Sequence, residues 1–171
     1  MPAPALALAL RDEATGDADA IRSVIIAAFR GVPHASGTEA QIVDDLRAAG
    51  ALALSLVAEG SEGILGHVAA SPVGIGEAQG WFGIAPLSVR PDRQAQGIGT
   101  GLMKAALARL RAQGAEGAVL VGDPAYYARF GFAADPGITV PGIPQEHVLA
   151  LPFARPARGE VRYHAAFGLE G

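Results

Sequence analysis

The chain is predicted to fold as a mixed α/β (α+β) domain, a sheet with helices on both faces. Three observations lead there. The elements read in the order strand, two helices, three strands, helix, strand, helix, two strands. Consecutive strands in the first half are joined closely enough to need only hairpins. The clearest helical pattern, Gly97 to Gln113, lies between two strands and must cross a face of the sheet.

Residues 5–11 read as a first strand by position more than by pattern, since alanine is a weak strand former. Asp17 is placed as N-cap of a helix carrying Ile21, Val24, Ile25, Ala28 and Phe29, ended by Gly31 and Pro33. Thr38 and Gln41 have capping-box spacing and open a second helix through Ile42, Val43 and Leu46, closed by Gly50. Segments 52–58 and 64–73 flank the turn Gly60–Gly63 as a hairpin, with Pro72 expected to end the second strand or mark an edge. In the next strand, 81–89, Pro86 removes a ladder donor and predicts a bulge or splay.

Ile98, Leu102, Ala106 and Leu110 then share one helical stripe, with Met103 and Leu107 beside it and Gly114 as its stop. A buried strand, Ala118–Val121, leads to Asp123 and Pro124, a favoured N-cap and first position for a short helix. Two further strands are expected at 146–152 and 160–167. With no repeat or linker, the 171 residues are read as one domain, 1–171.

Composition narrows the function. Half of the residues are apolar and the formal net charge is -4, which leaves no electrostatic footprint for nucleic acid. The absence of cysteine excludes disulfides, thiolate metal ligands and a cysteine-acyl intermediate, and fits a reducing cytoplasm. No His/Asp/Glu spacing suggests a metal site. The apolar start lacks a positive region and runs at once into Arg11, Asp12 and Glu13, so it reads as a strand rather than a signal peptide. No apolar run approaches the roughly 18 residues of a membrane span.

The strongest chemical feature is the stretch Gln94, Ala95, Gln96, Gly97, Ile98, Gly99, Thr100 and Gly101, between a strand and the periodic helix. A helix start offers N–H groups without intrahelical partners and partial positive charge. Glycines let a phosphate approach that backbone closely. A Walker loop would need Lys-Ser/Thr after the glycines, and the nearest lysine, Lys104, lies inside the helix. A Rossmann fingerprint would need G-x-G-x-x-G, and the chain has G-x-G-x-G. Tight helix–sheet packing alone would also use glycines.

Here the chain resembles the GNAT acyltransferases, whose Q/R-x-x-G-x-G/A signature is matched by Gln94 to Gly99, after the strand end Leu87-Ser88-Val89. A second match follows at Val121–Phe132, which is similar to a bacterial GNAT branch reading G-D-P-x-Y-Y-x-R-F-G-F. The resemblance implies a mostly antiparallel central sheet that splays between strands four and five. It implies acetyl-CoA as cosubstrate, its pyrophosphate on the glycine-rich turn and its pantetheine arm along Leu87, Ser88 and Val89. It implies direct attack of a primary amine of a small molecule, peptide or protein on the thioester. The Val89 N–H would stabilise the oxyanion and Tyr127 would protonate the departing thiolate, with Tyr126 as its competitor. The family also admits a homodimer.

No general base stands out among His67, Glu39 and His34, and His147 and His164 carry no recognisable constellation. The other reading is a non-catalytic module that binds or senses acyl-CoA, for which an acid beside the thioester would have no use.

Overall fold

In the computed structural model, which describes residues 8–33 and 35–168, the first strand is β1 (Ala9–Asp12). Part of the strand expected at 5–11 lies outside the described residues. Helices α1 (Ala18–Phe29) and α2 (Glu39–Ala48) follow. Ile21, Val24 and Ile25 of α1 and Ala40 and Val43 of α2 are buried against Val57, Ile64 and Ala69 of the sheet. The helical spacing in the sequence is the spacing of this apolar face.

Neither helix is capped as expected. Asp17 stands at the α1 N-cap but makes no side-chain bond to the helix; its carboxylate accepts from the Ala14 N–H and the Arg11 guanidinium instead. Thr38 and Gln41 form no capping box. Glu39 accepts from the Ser36 and Gly37 N–H groups, and Gln41 donates to Asp45 at 2.8 Å. In both places a competing partner engages the capping side chain.

The central meander is β2 (Leu54–Gly60), β3 (Gly63–Ile75) and β4 (Ala78–Val89), antiparallel throughout. Strand β3 runs through Pro72, so Pro72 does not end it. The Ala70 carbonyl faces the β2 side, where it accepts from the Ala53 N–H. Two residues on, Pro72 faces the same side beyond the last β2 pair, where no donor is required. The bulge expected at Pro86 is present: Val68 pairs with Leu87 but Ala70 with Ile84, so β4 spends one residue more than β3. The Ala85–Pro86 peptide is cis.

After β4 comes α3 (Ile98–Ala112), which buries Ile98, Leu102, Met103, Ala106, Leu107 and Leu110. They pack on Leu54, Leu56, Val68, Ala70 and Ile84, the sheet face opposite α1 and α2. The remaining elements are β5 (Gly117–Val121), α4 (Pro124–Tyr127), β6 (Ala133–Ala134), β7 (Ile138–Thr139), β8 (Val148–Pro152) and β9 (Gly159–Arg162). As expected, Asp123 caps α4, accepting from the Ala125 N–H at 2.9 Å, with Pro124 in its first turn. The strands expected at 146–152 and 160–167 are shorter than that: residues 146–147 belong to a 3-10 turn, Gln145–His147, and Ala165–Phe167 form another.

The sheet order is β1-β2-β3-β4-β5-β8-β6, with β9 on the far end of β3 and β7 beside β9. It is mostly antiparallel, and β4 and β5 form a parallel pair through only Trp81–Gly117, Phe82–Ala118 and Gly83–Val119. Gly117 makes that pairing feasible, because a Cβ there would lie 2.6 Å from the Trp81 indole. Gly117→Ala is therefore expected to destabilise the protein by about 1–3 kcal/mol through overpacking, read from the urea midpoint. Among the described residues no helix is long and apolar enough to cross a membrane.

Candidate active site

Beyond Gly83 no β5 residue pairs with β4, so Ile84 to Val89 border a widening gap. Hydrogen-bond alternation shows what they present to it. The Arg90 N–H donates to the Leu65 carbonyl at 2.9 Å, which makes 65/90 a narrow antiparallel pair. Two residues along, His67/Ser88 is the next narrow pair, so Ser88 spends its backbone groups on β3. Leu87 and Val89 consequently turn their N–H and C=O groups into the gap. The Gln94 side chain reaches one of them, donating to the Val89 carbonyl at 3.2 Å.

The gap leads to the start of α3. Ala95 (φ 62°) and Gly97 (φ 86°) turn the backbone through left-handed conformations just before the helix. The Gly101 N–H donates to the Gly97 carbonyl at 3.0 Å, the first bond of the helical ladder. The N–H groups of Ile98, Gly99 and Thr100 have no acceptor among the described residues. Three unpaired donors at the positive end of a 15-residue helix have the chemistry to accept an anion.

A cavity of about 660 Å³ joins these parts. Leu87, Val89, Gln94, Ala95, Gly97, Ile98, Gly99 and Thr100 line it, together with Tyr126 and Tyr127. Of the remaining residues singled out in the sequence, Ser88, Gln96 and Gly101 are not in its lining. Ser88 turns its side chain to the α1/α2 face and is 1% exposed. The lining also includes Phe29 at the end of α1 and the guanidinium-bearing Arg93 and Arg129. Sequence reasoning missed those three. Arg93 pairs with Glu62, and Arg129 lies 4.3 Å over the Tyr126 ring.

The adjacent tyrosines diverge. The Tyr126 hydroxyl sits over the start of α3, 3.2 Å from where a Cβ on Gly99 would be. The Tyr127 ring packs on the α3-side core and edge-on to Phe132, with centroids 6.2 Å apart. Burial, reinforced by Tyr126 and Asp123, pushes the Tyr127 phenol up to about 12. It is a neutral O–H donor at neutral pH.

Glu39, one of the three residues weighed as a base, and the two histidines without a constellation each have a local partner. Glu39 organises the Ser36–Gly37 turn, His147 Nδ1 bonds the Gly122 carbonyl, and His164 caps a terminal turn. His34 lies outside the described residues. His67 is fully buried, and burial lowers its imidazole to about 4, partly offset by Glu13. The unfolded chain therefore binds the extra proton between about pH 6.5 and 4. The resulting stability is present in full above about pH 6.5 and is lost as pH falls towards 4, on the order of 3 kcal/mol. Urea midpoints across that window should fall more steeply in the wild type than in His67→Gln.

Comparison with known proteins points one way. Residues 52–134 match the family model described as acetyltransferase (GNAT) domain. The chain is 38% identical over 167 residues to the uncharacterized N-acetyltransferase YhbS of Escherichia coli strain K12, spanning 92% of this chain and 97% of that protein. A GNAT family acetyltransferase from Brucella melitensis, crystallised with acetyl-CoA, is 48% identical with a TM-score of 0.84. That alignment covers 94% of this chain and 97% of the other. Crystalline Escherichia coli YhbS in complex with CoA gives a TM-score of 0.86 at 34% identity, covering 100% of this chain and 97% of YhbS.

Proposed function

Since the chain belongs to the GNAT family of N-acetyltransferases, we propose that it transfers acetyl from acetyl-CoA directly to a primary amine of a small molecule or peptide. The observation that carries this reading is the continuity of the open β4 edge with the unpaired N–H groups of α3. The first suits an extended amide-bearing arm and the second a diphosphate. The N–H groups of Ile98, Gly99 and Thr100 hold the pyrophosphate, with Arg93 and Arg129 adding charge at the rim. The pantetheine arm extends along Leu87 to Val89 and brings the thioester carbonyl to the Val89 N–H. No metal enters the scheme, and none of the described His, Asp or Glu residues form a cluster that could hold one.

The neutral amine attacks the carbonyl carbon and forms the N–C bond. The oxyanion develops against the Val89 N–H, a fixed donor that needs no reorganisation. As the C–S bond breaks, the Tyr127 hydroxyl donates its proton to the sulfur and coenzyme A leaves as thiol. The amine nitrogen loses one proton, which restores the balance when Tyr127 is reprotonated. On this reading the protein works in the cytoplasm, with access to the acetyl-CoA pool.

Thiol release from acetyl-CoA across a panel of amines, run beside calorimetry, tests the proposal. Saturable binding with amine-dependent release is expected. Binding without release from any amine would favour an acyl-CoA-sensing module, and no binding would overturn the site itself.

A further inference from the structure

The cavity at the gap has walls from both sides of the sheet. Tyr127 packs on the α3-side core, whereas Ala28 and Phe29 reach the lining from the end of α1, on the opposite side. The α1 side is apolar. Ala28 and Phe29 are half-buried, and the Val32 N–H donates to the Phe29 carbonyl at 3.2 Å, which holds Val32 close by with 43% of its surface exposed. On β5, the far side of the gap, Val121 lies two residues beyond the last pair with β4. Strand alternation turns it to the face of Val119, away from the α3-side core that takes Leu120, and it too is 43% exposed.

Charge adds a second restriction. The charged residues of the lining are Arg93 and Arg129, and no carboxylate lines the cavity among the described residues. A polycationic acceptor would meet like charge there with no counterion. The direction of attack is restricted as well. In the transfer scheme the pantetheine arm runs along β4 and the carbonyl points to the Val89 N–H, so the thioester lies in the plane of the sheet. A nucleophile adds at right angles to that plane, hence from one face of the sheet. Tyr127 is on the α3 side, which leaves the side of Ala28 and Phe29 for the amine.

We infer that the acceptor is a small primary amine borne on an aromatic or branched aliphatic group, which packs on Phe29 while its nitrogen reaches the carbonyl. This rests on the transfer reading above. Contact with the ring supplies binding that a polar amine lacks. Withdrawal from water favours the uncharged form of the amine, so the acceptor leaves its proton in solvent as it enters. Such a site has less need of a side-chain base, and Glu39, His147 and His164 have other partners. A peptide fits this wall less well, because its amide groups would face carbon without hydrogen-bond partners.

Thiol release from acetyl-CoA is measured with phenethylamine, isobutylamine, spermidine, glucosamine and an alanine-terminated peptide. The first two are expected to show kcat/KM at least about tenfold above the other three. Phe29→Ala is expected to cut the advantage of phenethylamine over spermidine at least about fivefold, through KM for phenethylamine, with the acetyl-CoA dissociation constant within about twofold. If Phe29→Ala does not fold, Val121→Asp, at an exposed position, is read in the same way. Spermidine, glucosamine or the peptide used as well as phenethylamine would overturn the inference and leave transfer in place. So would an advantage within about twofold of wild type in the folded variant. Acetyl-CoA binding with no thiol release from any amine would instead overturn the transfer reading, and this acceptor with it.

Discussion

Tyr127→Phe is expected to lower kcat for thiol release about 100-fold, while the acetyl-CoA dissociation constant stays within about twofold. The two readouts separate because in the proposed scheme the phenol acts on the departing sulfur and adds little to ground-state binding. Tyr127 keeps its proton until a pH of about 12 and is therefore available as a proton donor throughout the neutral range. The ring remains packed on Phe132 in the variant, so the fold should survive. Tyr126→Phe is the control: its hydroxyl points to the helix start, and its loss should be felt more in binding. Turnover of Tyr127→Phe within about twofold of wild type, or a larger kcat loss in Tyr126→Phe, would remove Tyr127 from the acid role.

Gly97→Val is expected to raise the acetyl-CoA dissociation constant more than about tenfold, or 1.4 kcal/mol. No protein atom lies within 4 Å of a Cβ at this position, so a clash inside the protein is not the cause. Gly97 has φ +86°, a conformation that costs a non-glycine residue about 1–2 kcal/mol and a β-branched one most. Relief of that strain is expected to swing the Ile98–Thr100 N–H groups out of convergence, and the valine methyls would occupy the approach of the proposed phosphate. Calorimetry gives the binding loss and the urea midpoint shows whether the fold is retained. Unchanged affinity in a folded variant would mean that the helix start is not the diphosphate site.

Much of this architecture can be read from residue patterns because local chemistry decides it. The α3 stripe from Ile98 to Leu110 coincides with the buried face, and Pro86 marks the β4 bulge because a missing donor has few places to go. Asp17 and Thr38 stand at the expected N-cap positions, but their side chains make no cap bond because nearby groups claim them: Arg11 and Ala14 bond Asp17, and Ser36 bonds Thr38. Strands β6 and β7 have two residues each, too few for an alternation to register. At the site, the motif residues are legible, but Arg93 and Arg129 look like ordinary surface arginines until the cavity gathers them. His67 gives no sign in the sequence of its face or its partners; only strand register places it opposite Ser88 and beside Ser55.

The most direct measurement is a crystal structure of the chain with coenzyme A. The account expects pyrophosphate oxygens within about 3 Å of the Ile98, Gly99 and Thr100 N–H groups. It expects the pantetheine arm on the open edge at Leu87 and Val89, and the sulfur nearer the Tyr127 hydroxyl than that of Tyr126. A coenzyme bound away from the start of α3, or a sulfur turned from Tyr127 towards Tyr126, would contradict it.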